Sequence, residues 1–132
     1  MGAFSNYLEN KVLDHTLRNT TYTPASTLYL ALYTTDPTEA NSGTEVSGGS
    51  YARQSLTPST AFGAASGGSV NNASDITFTV ATGSWGTVTH FGICDASSGG
   101  NLLYYGALTA SKTVGNGDTF RFPSGSLVVT LD

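Results

Sequence analysis

The residues whose chemistry could support nucleophilic catalysis or metal binding are two histidines and one cysteine: His15, His90 and Cys94. His90 and Cys94 lie four residues apart in a β-favouring run, so they share one face of a strand but are about 13 Å apart. That separation is too long for a thiolate–imidazole pair or a shared metal ion, and a zinc site needs three or four ligands. We predict no metal site, and we interpret Cys94 as a small core residue.

No other set of polar side chains has the spacing of a catalytic motif. None of the serines lies in a Gly-x-Ser-x-Gly turn, where an α/β-hydrolase holds its nucleophile. The Gly-Gly pairs lie between β-favouring runs and not before a helix, where a phosphate-binding loop is expected. We therefore predict that the protein is not an enzyme, has no catalytic residues and needs no cofactor.

Trp85 is framed by two small residues, Ser84 and Gly86. A tryptophan in this setting can stack on a sugar or anchor a protein interface, and it can equally fill one end of a hydrophobic core. We favour the core position. A carbohydrate-binding module built on Trp85 and surface tyrosines is kept as an alternative function.

Residues 5–18 are predicted to form the single N-terminal α-helix. Ser5 or Asn6 can cap it, and Asn6 and Glu9 have the spacing of a capping box. Two sets of side chains give the helix apolar sides at i, i+4 spacing: Leu8, Val12 and His15 on one side, and Leu13 and Leu17 beside it.

Short alternating runs after the helix predict β-strands. In residues 27–34 the three leucines point one way, and Tyr29 and Tyr33 point the other, so the second face is expected to be covered by the helix or by another subunit. Further strands are predicted at 51–57, 75–81, 88–95, 101–109, 119–122 and 126–131. Two hairpins are expected, one joining 88–95 to 101–109 and one joining 119–122 to 126–131.

The fold class that follows is mainly β: an antiparallel β-sandwich, jelly-roll-like, with one N-terminal α-helix. We predict a single domain over residues 1–132, with the helix at 5–18 and the sandwich at 27–132. A chain of this length can bury about two-thirds of the surface that its unfolded form exposes, so it needs no metal or disulfide to fold.

Charged residues are scarce, at 11% of the chain, against about 25% in an average domain. The net charge is −4 and the five basic residues are scattered, so we predict no nucleic-acid partner, because phosphate binding needs clustered lysine and arginine. No apolar run approaches the length of a membrane span, so no membrane partner is predicted. A surface with few charges is easily desolvated, as at protein–protein interfaces.

Three blocks of sequence resemble a known family: SNYLENKVLDH, EVSGGSYARQ, and SWGTVTHFGICDASSGGNLLYYGALTASKTV with GDTFRFPSGSLVVTLD. The chain resembles small tailed-bacteriophage virion structural proteins, which are often labelled tail-fibre proteins, and it is similar to capsid cement or decoration proteins. The resemblance implies a virion component without enzymatic activity, assembled in the bacterial host cytoplasm. It offers no catalytic residues to transfer.

The absence of long repeats or heptads, together with a single small domain, leads us to expect a capsid cement protein that stabilises the head. A tail or fibre-associated structural protein is the alternative. The expected partners are the major capsid protein or other virion proteins, and further copies of the chain in a dimer or trimer. The candidate partner contacts are four tyrosines: Tyr7, Tyr29, Tyr33 and Tyr104.

Overall fold

The structure, a computed structural model, describes residues 2–131. Nine strands and two helices occur in this range. In chain order they are β1 (Gly2–Phe4), α1 (Asn6–Leu17), β2 (Leu28–Tyr33), β3 (Gln54–Leu56), α2 (Pro58–Ala61), β4 (Ser69–Asn71), β5 (Ile76–Thr77), β6 (Gly86–Cys94), β7 (Leu102–Val114), β8 (Arg121–Phe122) and β9 (Val128–Thr130). The predicted mainly β fold with one N-terminal helix is confirmed. Neither helix is long and apolar enough to cross a membrane.

A five-stranded antiparallel sheet forms one layer, in the order β1–β7–β6–β2–β3. The second layer differs from the predicted jelly-roll-like sheet because it consists of two separate two-stranded ribbons, β4–β9 and β5–β8. The main core lies between the layers, where Leu30 and Phe91 of the sheet pack with Phe122 and Val129 of the ribbons.

Helix α1 agrees closely with the predicted helix. Ser5 is its N-cap, and the Ser5 hydroxyl accepts a hydrogen bond from the backbone N–H of Leu8. The same hydroxyl donates to the carbonyl of Leu102, which fastens the start of the helix to β7. Ahead of the helix, the unpredicted strand β1 pairs with β7, so the sheet begins before residue 27.

The first predicted hairpin is confirmed, since β6 and β7 pair along most of their length. The second is wrong: β8 pairs with β5, and β9 pairs with β4. Asn72 explains the difference, because its buried side chain donates to the carbonyl of Pro123 at 3.0 Å and accepts the N–H of Leu127 at 2.9 Å. These bonds hold the turn between β8 and β9 against residue 72 and direct the two strands to different partners.

Both faces of β2 are buried, and the chain itself covers them. Leu30 and Leu32 lie in the main core, and Ala31 and Tyr33 form a second cluster with Cys94 and Leu102 on the outer face. The Tyr33 hydroxyl donates to Oδ1 of Asn41 at 3.1 Å, in the segment after β2. The covering expected from a helix or another subunit is thus supplied by this segment and by neighbouring strands. The core position of Cys94 is confirmed.

Gly92 lies beside the outer cluster, and its lack of a side chain leaves room for Tyr33 and Leu102. A Cβ atom on residue 92 would lie 2.8 Å from both Leu102 Cδ1 and Tyr33 Cε1, so we expect Gly92→Ala to lower the free energy of unfolding by about 1–3 kcal/mol. Urea denaturation would measure the loss. Gly63→Ala is the matched control, because a Cβ there meets nothing within 4 Å, and equal stability of the two variants would contradict the packing argument.

Candidate functional site

A bidentate ion pair between Glu45 and Arg53 lies where two glycine-rich segments of the chain meet. Nε of Arg53 donates to Oε2 of Glu45 at 2.9 Å, and Nη2 donates to Oε1 at 2.8 Å. The Arg53 side chain is 8% exposed and that of Glu45 is 26% exposed. Charge-assisted pairs of this planar geometry are among the strongest polar contacts in proteins.

The third guanidinium nitrogen of Arg53 binds the loop between β6 and β7. Nη1 donates to the carbonyl of Ala96 at 2.7 Å and to that of Gly99 at 3.0 Å. The loop can turn this tightly because Gly99 and Gly100 have positive φ angles of 61° and 70°. The EVSGGSYARQ and DASSGGN stretches, far apart in sequence, therefore form one structural unit around Arg53.

Tyr51 connects this unit to the sheet. Its hydroxyl donates to Oε2 of Glu45 at 2.7 Å and accepts the backbone N–H of Leu32 at 3.0 Å. Glu45 itself forms an isolated bridge with Tyr33 at the end of β2. Leu32 lies between Tyr33, which forms this bridge, and the residues of β2 that pair with β3. The Tyr51 hydroxyl therefore provides the acceptor for a backbone N–H that neither pairing reaches.

The electrostatics of the cluster hold Glu45 and Arg53 in their charged forms. Burial alone would raise the pKa of Glu45, but hydrogen bonds from Arg53 and Tyr51 bring that pKa below its usual value. The bond to Glu45 raises the pKa of Arg53. Burial and the bond to Glu45 raise the pKa of Tyr51. Because these groups bond to one another and to backbone, the cluster is suited to holding segments together.

The four candidate tyrosines are not gathered into one surface. Tyr33 is 2% exposed, whereas Tyr7, Tyr29 and Tyr104 are half-buried. Tyr104 packs against the main core, with its ring centroid 5.4 Å from that of Phe4. Partial exposure leaves Tyr7, Tyr29 and Tyr104 as the members of the set that can reach a partner.

Tyr22 is a further half-buried tyrosine that the sequence analysis missed. Burial raises its pKa, with smaller contributions from Tyr7 and Asp95. Burial also raises the pKa of Tyr104, with a smaller contribution from Tyr22. Its backbone N–H donates to Nδ1 of His15 at 3.1 Å. Tyr22 lies in the irregular segment between α1 and β2, where no periodic pattern marks a residue as packed.

The residues first considered for chemistry occupy separate places. Tyr33 is opposite His90 and Tyr29 is opposite Cys94 in the pairing of β2 with β6. Burial raises the pKa of the Cys94 thiol, which keeps it protonated and unreactive. Within residues 2–131, no group of three or more His, Cys, Asp and Glu side chains could hold a metal ion.

Trp85 belongs to the core, as favoured from the sequence. It is 3% exposed, and its indole N–H donates to the carbonyl of Gly49 at 2.9 Å. Its ring packs edge-on against Tyr51 and Phe78. The sugar-stacking platform on Trp85 is therefore wrong, because neither face of the ring reaches the surface.

The Glu45–Arg53 pair is more buried than the Arg121–Asp75 pair. Replacing Arg53 should therefore destabilise the protein more than replacing Arg121. Arg53→Gln should lower the free energy of unfolding by about 2–4 kcal/mol, because it leaves Glu45 without its charge partner and two loop carbonyls without a donor. Arg121→Gln is the control, since the Arg121–Asp75 pair is about half exposed on both sides and should cost about 0–1 kcal/mol. Chemical denaturation of both variants makes the comparison, and losses of similar size would contradict it.

The lowered pKa of Glu45 predicts a pH dependence. A carboxyl whose folded-state pKa is below its unfolded value of about 4.3 stabilises the fold above that pH, and this contribution is lost as the pH falls through the folded-state value. The stability difference between the wild type and Glu45→Gln should therefore be largest near neutral pH and shrink under acid conditions. Denaturation curves across that range measure it, and a difference independent of pH would count against the assignment.

Comparison with known protein families identifies one family whose model matches this chain. The model of a family described as podophage GP4 fiber I protein gp80 matches residues 3–130, from β1 to β9. No curated protein matches the chain. The expected likeness to phage virion structural proteins is confirmed. Because the match covers nearly all of the chain, this protein belongs to the family of podophage GP4 fiber I protein gp80.

Proposed function

We propose that the chain is a non-enzymatic structural component of a podophage tail fibre. The family match carries the proposal, because the fibre description extends over residues 3–130. That range contains both layers of the fold, so the description applies to the whole module and not to a short appended segment. Membership of the family fits a place in the virion.

The arrangement of the polar groups supports a structural role and not a catalytic one. The polar groups that come closest to forming a site, Glu45 and Arg53, are bonded to each other and to backbone carbonyls. Strand β6 pairs with β7 along one edge and with β2 along the other. Interactions of this kind hold the segments they join in a fixed arrangement. Its partners in this proposal are other virion proteins.

The family match favours a fibre protein over a capsid cement protein. The expectation of capsid cement depends on a small single domain without shaft-like repeats, and a globular fibre module has the same properties. The family description is specific to a fibre, and nothing in residues 2–131 points to the head. The carbohydrate-binding alternative loses its main support with the burial of Trp85.

Imaging of virions with and without the protein tests the proposal. We expect cryo-EM maps of particles lacking it to lose density on the tail apparatus while the capsid lattice is unchanged. The temperature of thermal DNA release should also be unchanged, since release reports the strength of the head. Restoring the gene in trans should return the missing density, which controls for assembly defects elsewhere.

Two outcomes would overturn the fibre role in favour of capsid cement. One is lost density distributed over the capsid surface. The other is a lower release temperature in particles that lack the protein, restored by complementation. A labelled copy located on the tail together with an unchanged release temperature would support the proposal.

A further inference from the structure

Asn116 and Gly117 form the only Asn-Gly pair among the eight asparagines of the chain. They lie in the turn between β7 and β8, and Asn116 is exposed. In such a pair the backbone nitrogen of glycine can attack the side-chain amide carbon of asparagine, because glycine has no side chain to block the approach and adopts many backbone angles. Asn116 is therefore the asparagine of this chain at which deamidation is most expected.

Deamidation of an Asn-Gly pair needs only water as a co-reactant. A bond forms between the glycine nitrogen and Cγ of asparagine, and the side-chain nitrogen leaves as ammonia, carrying away the proton of the backbone N–H. Water then opens the resulting cyclic imide at one of its two carbonyls, which gives aspartate or isoaspartate. The reaction therefore requires a glycine nitrogen that can move against Cγ and give up its proton.

In the folded chain the nitrogen of Gly117 is engaged in a hydrogen bond. Its N–H donates to the carbonyl of Ala81 at 2.7 Å, and the N–H of Ala81 donates to the carbonyl of Asp118 at 2.9 Å. Ala81 is 1% exposed and belongs to the main core. These two bonds fasten the turn to a buried segment, so the attack on Asn116 requires the turn to separate from Ala81.

Two further hydrogen bonds fix the shape of the turn. The N–H of Gly115 donates to Oδ2 of Asp118 at 2.8 Å, and the N–H of Asp118 donates to the carbonyl of Gly115 at 3.0 Å. Gly117 has a φ angle of 89°, which glycine adopts without strain. A Cβ atom on residue 117 would meet nothing within 4 Å. The nitrogen is therefore restrained by hydrogen bonds, while the space around the turn is open to water.

We propose that Asn116 is a deamidation site whose reactivity is controlled by the fold. Asn116 is protected while the turn is bonded to Ala81, and it reacts when the turn opens. Either product then opposes closure of the turn. Isoaspartate inserts an extra methylene group into the main chain ahead of Gly117, which displaces its N–H from the Ala81 carbonyl, and aspartate places a new carboxylate near that of Asp118. The reaction thus converts a transient opening into a permanent one.

Peptide mapping by mass spectrometry provides the first test. The intact chain is incubated in mildly alkaline buffer with and without urea, and the deamidated fraction at Asn116 is followed over time. We expect the reaction in the folded chain to be at least about tenfold slower than in urea, because access to the nitrogen requires local opening. Asn41 is also exposed but is followed by Ser42. It is the internal control and should react more slowly than Asn116 in urea.

A variant of Asp118 tests whether the hydrogen bonds of the turn provide the protection. Asp118→Ala loses the side-chain bond to Gly115, so the folded variant should deamidate at Asn116 about two- to tenfold faster than the wild type, the factor that corresponds to one hydrogen bond. Asp95→Ala is the matched control, because Oδ1 of Asp95 accepts the N–H of Asn101 at 2.7 Å in a different loop. It should leave the rate at Asn116 unchanged. Circular dichroism checks that each variant is folded.

Three results would overturn the inference. Equal rates at Asn116 in the folded chain and in urea would show that the fold gives no protection. Absence of reaction at Asn116 in urea would remove the site itself. Equal rates for the wild type and Asp118→Ala would contradict protection by the bonds of the turn. These measurements use the free chain, so their outcome is independent of whether the protein is located on the tail.

Discussion

The ion pair between Glu45 and Arg53 is the interaction on which the loop-rich half of the fold depends. Removing two charges from water is costly, and the cost is offset here by two parallel hydrogen bonds and by further bonds from Arg53 to two carbonyls. Through them, one guanidinium joins the long segment after β2 to the β6–β7 loop. Tyr51 extends the connection to β2 itself. In a chain with so few charges, this pair organises several otherwise irregular segments.

A second constraint is that the central sheet must be covered on both faces by a chain of 132 residues. The ribbons β4–β9 and β5–β8 cover one face with an aromatic core in which rings pack mainly edge to face. The outer face carries a smaller cluster around Tyr33. Residue 92 must be glycine in this cluster, because Tyr33 and Leu102 occupy the space where a Cβ atom would lie.

The packing leaves parts of the surface uncovered by other elements of the fold. The interior is complete in the sense that no buried side-chain polar atom in residues 2–131 lacks a hydrogen-bond partner. Leu13 and Leu17 of α1 remain exposed, and Tyr7, Tyr29 and Tyr104 remain half-buried. The start of α1 is held against β7, because the Ser5 hydroxyl bonds both to the N–H of Leu8 and to the carbonyl of Leu102.

Local patterns in the sequence were enough to predict α1, β2 and the β6–β7 hairpin, because a cap, an alternation and a Gly-Gly turn each act over a few residues. They also predicted the core positions of Cys94 and Trp85. The partners of β8 and β9, the pairing of β1 with β7 and the meeting of Glu45 with Arg53 and the β6–β7 loop could not be predicted in this way. Periodicity states which face of a strand is buried, but not which backbone its hydrogen bonds reach. Those choices were made by contacts such as Asn72 with Leu127, 55 residues apart, which exist only once the chain has folded.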